Sequence, residues 1–152
     1  MSALFEHLKS RIKAEGPLSL DTYMAVALGH PEHGYYRTGD PFGDAGDFVT
    51  APEISQMFGE LLGLWSMVCW RQLGAPASFN LIELGPGRGT LMADGIRAAK
   101  NAVPFYNALH VHLVETSPLL RKYQQAALAA INRPIHWHQQ LIQVPNCPFV
   151  LL

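Results

Sequence analysis

Between Leu81 and Thr90 the chain reads Leu-Ile-Glu-Leu-Gly-Pro-Gly-Arg-Gly-Thr, a run that few local structures can accommodate. The residues ahead of the first glycine are mostly apolar, as a short buried parallel strand would be. Glycines then fall at 85, 87 and 89, and Thr90-Leu91-Met92-Ala93 opens a helix-forming run. A strand, a tight turn and a helix in that order aim backbone N–H groups and the positive end of a helix dipole at the space above the strand. Glycine belongs there because a Cβ would block the close approach of a ligand or forbid a positive φ. A dinucleotide fingerprint, G-x-G-x-x-G/A, would place its third small residue at position 90. That position is Thr90, the third glycine comes one residue early at Gly89, and an acid, Glu83, lies two places before Gly85.

The rest of the chain is patterned around this unit. Phe79–Leu84 reads as the first strand, with its helix running from about Thr90 to Lys100, and Leu109–Glu115 as the second strand. Thr116-Ser117-Pro118 supplies a cap and a first-turn proline for a helix through Ala130. Ile135–His138 makes a short third strand, and Phe149–Leu152 the start of a fourth. Such alternation predicts an α/β fold, a Rossmann-like parallel sheet with right-handed crossovers. Residues 75–152 are then the first part of that sheet domain and 1–74 an N-terminal helical cap with a covering loop.

Within the cap, Leu4, Phe5, Leu8 and Ile12 recur at helical spacing until Gly16-Pro17 stops them, and Ser19 caps a second helix through Ala27 that ends near Gly29. His30 to Asp47 is dense in Gly, Pro and Asp and predicts a long loop. Thr50-Ala51-Pro52-Glu53 has the capping-box form and opens a helix through Gln72. Ile54, Met57, Phe58, Leu61, Trp65, Val68 and Cys69 trace its apolar face, while Gly59 and Gly63, four apart, permit close packing.

Composition narrows the function classes. The 152 residues are 49% hydrophobic and 15% charged, which describes a globular chain. A net charge of -1 without a Lys/Arg cluster argues against nucleic acid. The apolar stretches fall short of the roughly 20 residues a membrane-spanning helix needs. No signal-peptide core is present, Glu6 and Glu15 do not suit a transit peptide, and Cys69 and Cys147 stand apart. These features predict a reducing, cytosol-like compartment. His30 and His33 have no third ligand at a recognisable spacing, and Asp40, Asp44 and Asp47 do not keep the register of an EF-hand. Turn chemistry is therefore expected there, and no metal site.

Several side chains fall where a nucleoside would lie. Glu115, at the carboxyl end of strand two, is placed to accept hydrogen bonds from ribose hydroxyls. Its distance from the glycines exceeds the usual spacing of about 20 residues, which requires an inserted loop around Val103–Asn107. Gln139-Gln140-Leu141, at the end of strand three, falls where an adenine ring would sit. For Thr50, helix capping alone and cofactor contact both stay open, and the two can coexist. The histidine pairs 110/112 and 136/138 alternate on strand faces and read as packing or solvent-facing groups.

Glu83-x-Gly-x-Gly-x-Gly resembles the first motif of the S-adenosylmethionine-dependent methyltransferases with a Rossmann-like fold. Gly34-Tyr35-Tyr36, Asp40-Pro41-Phe42-Gly43, Gly46-Asp47-Phe48, the run from Thr50 to Glu60, Glu83–Leu91 and Val114–Leu119 together resemble the MidA family. That family includes mitochondrial complex I assembly factors that are protein-arginine methyltransferases, and bacterial relatives. The resemblance implies S-adenosylmethionine as cofactor, bound by Thr50, Glu83, Gly85, Pro86 and Gly87 on one side and by Glu115, Thr116, Gln140 and Leu141 on the other. It implies a protein acceptor, a cytoplasmic location in a bacterium or the mitochondrial matrix in a eukaryote, and a segment before Glu60 that closes over the cofactor. Family members continue well past strand four, so the acceptor-binding half, and with it the catalytic carboxylate, is expected outside these residues. The chain alone is then expected to be inactive and to self-associate. Two other classes stay open: a nicotinamide-dependent oxidoreductase, disfavoured by Thr90, and a non-catalytic partner-binding protein that keeps the glycine turn as a fold element.

Overall fold

A computed structural model describes residues 2–38 and 46–152. Asp40 and Asp44 lie outside them. Two compact units result, Met1–Pro41 and Phe42–Leu152.

In the first unit, α1 (Ala3–Glu15) starts at Ser2, whose hydroxyl accepts the Phe5 N–H at 3.3 Å, and stops at Gly16, where φ is 88°. Next comes α2 (Leu20–Gly29). His30 Nδ1 then accepts the N–H groups of Glu32 and His33, each at 3.2 Å. That closes the turn into a short α3 (Tyr35–Thr38), a helix inside what the sequence predicts as loop.

The second unit carries the sheet. Its elements are α4 (Ala51–Ile54), α5 (Gln56–Gln72), β1 (Phe79–Leu84), α6 (Thr90–Ala99), α7 (Val103–Ala108), β2 (Leu109–Val114), α8 (Pro118–Ala127), β3 (Ile135–His138) and β4 (Phe149–Leu151). All strand pairs are parallel, in the order β3-β2-β1-β4, with Leu81 opposite Val111 and Val150. The Rossmann-like expectation is met. The proposed insertion before β2 is the helix α7 rather than a loop.

One face of the sheet makes the core. Phe79 and Leu81, then Leu109, Val111 and Leu113, and Val150 pack with Met92, Ile96 and Ala99 of α6. Phe105 brings α7 into that core, its ring centroid 5.6 Å from Trp70 and 5.9 Å from Phe79. The opposite face is polar at its centre. Asn80 Nδ2 donates to the Pro145 carbonyl at 2.9 Å, which turns its oxygen toward His112 Nε2 at 3.2 Å. An amide oxygen only accepts, so His112 donates from Nε2 and its Nδ1 accepts from His138 Nε2 at 2.9 Å. Burial, reinforced by His138, His136 and His110, pushes the His112 imidazole down to about 4. Burial also lowers His138, with His136 and Arg121 adding to the effect.

The segment before β1 departs from expectation in two ways. The helix predicted from Thr50 to Gln72 breaks at Ser55, whose backbone is extended (φ -147°) and whose hydroxyl accepts the Met57 N–H. Thr50 makes no side-chain cap bond, so the capping box does not form. Moreover, α5 buries Gly59, Gly63, Ser66 and Trp70, while Met57, Leu61 and Trp65 of the predicted apolar face are 64%, 61% and 51% exposed. Close approach explains the inversion. A Cβ at Gly59 would lie 2.8 Å from Asp94 Cβ, and one at Gly63 would overlap the backbone of Gly95. Small residues set this contact because α5 and α6 meet nearly backbone to backbone, and Arg97 bridges them by binding Glu60 at 2.9 Å and Asp94 at 2.8 Å.

Candidate cofactor site

At the carboxyl end of β1 the chain enters the glycine turn. Gly85, Gly87 and Gly89 have φ of 63°, 53° and 87°, all in the left-handed region, so each glycine answers a backbone requirement. Gly89 is the N-cap of α6 and donates its N–H to the Pro86 carbonyl at 2.7 Å. A Cβ added at Gly85 would meet no protein atom within 4 Å. The space beside Gly85 is a cleft of about 360 Å³. Thr50, Pro52, Glu53 and Phe58 line one side of it, and Glu83 to Arg88 with Thr90 and Leu91 the other.

Glu83 is the unusual member of this lining. It is 6% exposed, and its Oε2 is buried without a hydrogen-bond partner. Burial pushes its carboxyl up to about 7. Glu53, expected to cap α4, instead accepts the Thr90 hydroxyl at 2.8 Å and so fastens α4 to the start of α6.

The cleft gathers five of the expected residues: Thr50, Glu83, Gly85, Pro86 and Gly87. Glu115, Thr116, Gln140 and Leu141 are not among its lining. Glu115 is 7% exposed, and its two oxygens accept the Ser117 N–H at 2.7 Å and the Gln124 amide at 3.2 Å. Gln140 is engaged in a reciprocal cap with Gln143 at a 3-10 turn, Leu141–Gln143. Leu141 lines a separate groove with Ile82 and Phe149.

Gln124 of α8 is a residue behind the glycine turn that the sequence analysis misses. Fully buried, it donates from Nε2 to the Gly87 carbonyl at 2.8 Å and to Glu115 Oε2, while its oxygen accepts the Trp137 indole N–H at 2.9 Å. Indole only donates and the other two groups only accept, so the amide has one allowed orientation. It locks the glycine turn to the ends of β2 and β3. A signal for it exists in the sequence: Leu120, Gln124 and Leu128 recur every four residues, and all three are buried. A polar residue on a buried helical stripe calls for internal partners. Arg121 of the same helix donates to the carbonyls of Glu115 and His138 and closes the ends of both strands.

Residues 61–152 match a protein-family model described as "Putative S-adenosyl-L-methionine-dependent methyltransferase". The chain belongs to this family. It is 40% identical to the Xenopus laevis protein arginine methyltransferase NDUFAF7, mitochondrial, over 95% of its own length and 38% of that protein's. With the human protein of the same name it is 42% identical over 89% of its length and 31% of that protein's. Among solved structures, a COG1565 superfamily member and likely methyl transferase from Burkholderia thailandensis, bound to S-adenosyl-homocysteine, superimposes with a TM-score of 0.78 at 28% identity. That alignment covers 98% of this chain and 40% of the other. The chain thus spans between about a third and two fifths of the length of such relatives. Membership sets aside the nicotinamide reading left open by the glycine count. Among the described residues, no helix is long and apolar enough to cross a membrane, and no group of three or more His, Cys, Asp or Glu is arranged to hold a metal ion.

Proposed function

We propose that this chain forms the S-adenosylmethionine-binding part of a methyltransferase whose acceptor is arginine in a protein. The observation that carries the reading is the buried, unpartnered carboxylate oxygen of Glu83 in a cleft walled by the glycine turn. Such an oxygen is costly unless a donor reaches it, and the cofactor's ammonium group is a fitting donor. The open space beside Gly85 suits a ligand that approaches the backbone closely.

When bound, the cofactor supplies an electrophilic methyl group on a sulfonium. The chain's residues serve to hold and orient it. Gly85, Pro86 and Gly87 present the turn's backbone to it, Glu83 takes the ammonium, and Thr50 stands across the cleft as part of a covering segment. Glu115 keeps acceptor capacity beyond the two bonds it already makes and takes ribose hydroxyls, while Thr116, Gln140 and Leu141 form the adenine side. The arginine acceptor is supported by the names of the relatives. A bacterial form would act in the cytoplasm and a eukaryotic form in the mitochondrial matrix; the mitochondrial names and the free thiols Cys69 and Cys147 support these compartments.

Calorimetric titration with S-adenosylhomocysteine tests the site. One molecule should bind per chain, Gly87→Val should abolish binding, and Glu115→Ala should weaken it by about tenfold or more. Unchanged affinity in both variants would overturn the assignment.

A further inference from the structure

Glu83 sits on the core side of β1, opposite Leu113 of β2, and the next residue donates its N–H to the Leu152 carbonyl. Among the described residues, few charged groups share its cleft. Glu53 from α4 is engaged by the Thr90 hydroxyl, and the Arg88 guanidinium stands 5.9 Å from the Tyr123 ring centroid. Thr50 just before α4, Phe58 of α5 and Leu91 of α6 add to the described lining, and none of them carries charge. A carboxylate left in that setting with one oxygen unpartnered is expensive, and a proton is the simplest way to neutralise it.

Resting on the cofactor reading above, we propose that Glu83 is a proton-coupled receptor for a cationic ligand tail. Binding an α-ammonium group there breaks the Glu83 carboxyl O–H bond, releases that proton to solvent and leaves a carboxylate paired with the cation. Two consequences follow. Affinity for an ammonium-bearing nucleoside rises with pH until Glu83 is ionised in the free protein, and then levels off. A nucleoside lacking the amino-acid tail gains nothing from ionised Glu83, so the same group discriminates against it. The position of Glu83 in the free protein, up to about 7, puts this coupling in the range where cells operate.

The experiment compares two probes on the whole protein, S-adenosylhomocysteine and 5′-methylthioadenosine, which lacks the amino-acid tail. Titration calorimetry from about pH 5.5 to 8.5, in buffers of different ionisation enthalpy, reads affinity and proton release together. S-adenosylhomocysteine should gain close to tenfold in affinity per pH unit below about pH 7 and flatten above it, with nearly one proton released at the acidic end. 5′-Methylthioadenosine should show neither slope nor proton release. Glu83→Gln keeps the shape of the side chain and should remove both for S-adenosylhomocysteine. Equal pH slopes for the two probes, or a slope that survives in Glu83→Gln, would overturn the proposal while leaving the cofactor site intact. Failure of both probes to bind would overturn the cofactor reading and this inference with it.

Discussion

The Thr90 hydroxyl donates to the Glu53 carboxylate at 2.8 Å, joining the first residue of α6 to the short helix that walls the other side of the cleft. The two residues are 37 positions apart, so this bond holds a long-range closure. Thr90→Val should leave the acceptor unpaired and cost about 1–2 kcal/mol in urea unfolding. Thr90→Ser should restore most of it. If the bond positions α4 for the cofactor, S-adenosylhomocysteine affinity should follow the same order, valine weaker than serine.

The buried amide of Gln124 satisfies the Gly87 carbonyl, a Glu115 oxygen and the Trp137 indole together. Gln124→Met, similar in volume, strands all three and should destabilise by about 3 kcal/mol or more, since each buried orphan costs about 1–3 kcal/mol. A denaturation midpoint within error of the parent would contradict that network.

Glycines at two positions should respond in opposite ways. Gly63→Ala forces α5 away from α6 and should cost about 1–3 kcal/mol. Gly29, at the end of α2, has open space where a Cβ would go, and Gly29→Ala should be neutral or stabilising by up to about 1 kcal/mol. Thermal unfolding of the two variants side by side checks the pair.

Glu83 also shapes stability against pH. Its carboxyl is raised from 4.5 to about 7 on folding, so the folded state holds a proton that the unfolded state has already lost. The associated stability is fully present below pH 4.5 and is lost as pH rises through about 7, by about 3 kcal/mol in all. Urea midpoints of the parent should therefore fall between pH 5 and 8 relative to Glu83→Gln, whose curve lacks this component.

His112 acts at the acidic end. Lowered from 6.5 to about 4, its neutral form is the one the fold accommodates, so stability is present above pH 6.5 and is lost as pH falls through about 4. His112→Gln should be less stable at neutral pH, yet its stability should decline less between pH 6.5 and 4.

How far these features could be read from sequence varies with their physical origin. The four strands and their parallel order follow from short apolar runs punctuated by glycine and proline, a local signal, and β1 and β3 occupy the spans expected. The glycine turn is equally local, since positive φ at Gly85, Gly87 and Gly89 is a demand of the chain itself. The capping box at Thr50 does not form because the Glu53 N–H bonds to the Thr50 carbonyl at 2.9 Å and the Glu53 carboxylate accepts from Thr90, far downstream. The face of α5 was inverted because apolar size was taken as the mark of burial, whereas the approach of α6 selects for absence of side chain at Gly59 and Gly63. The partners of Gln124 come from three separate segments, so helical spacing marks its burial but not the groups it meets.

Those three segments also bear on the order in which the molecule assembles. The Gln124 amide collects groups 37 residues before it, 9 before it and 13 after it. A contact network spread over that span must wait for the chain closures that bring its members together. The glycine turn can therefore reach its final shape only once β3 has docked beside β2, however early β1 and α6 form. Substitutions in the turn should mainly speed unfolding and leave the folding rate nearly unchanged. Nascent chain on the ribosome would then carry an unfinished cofactor pocket until Trp137 had emerged.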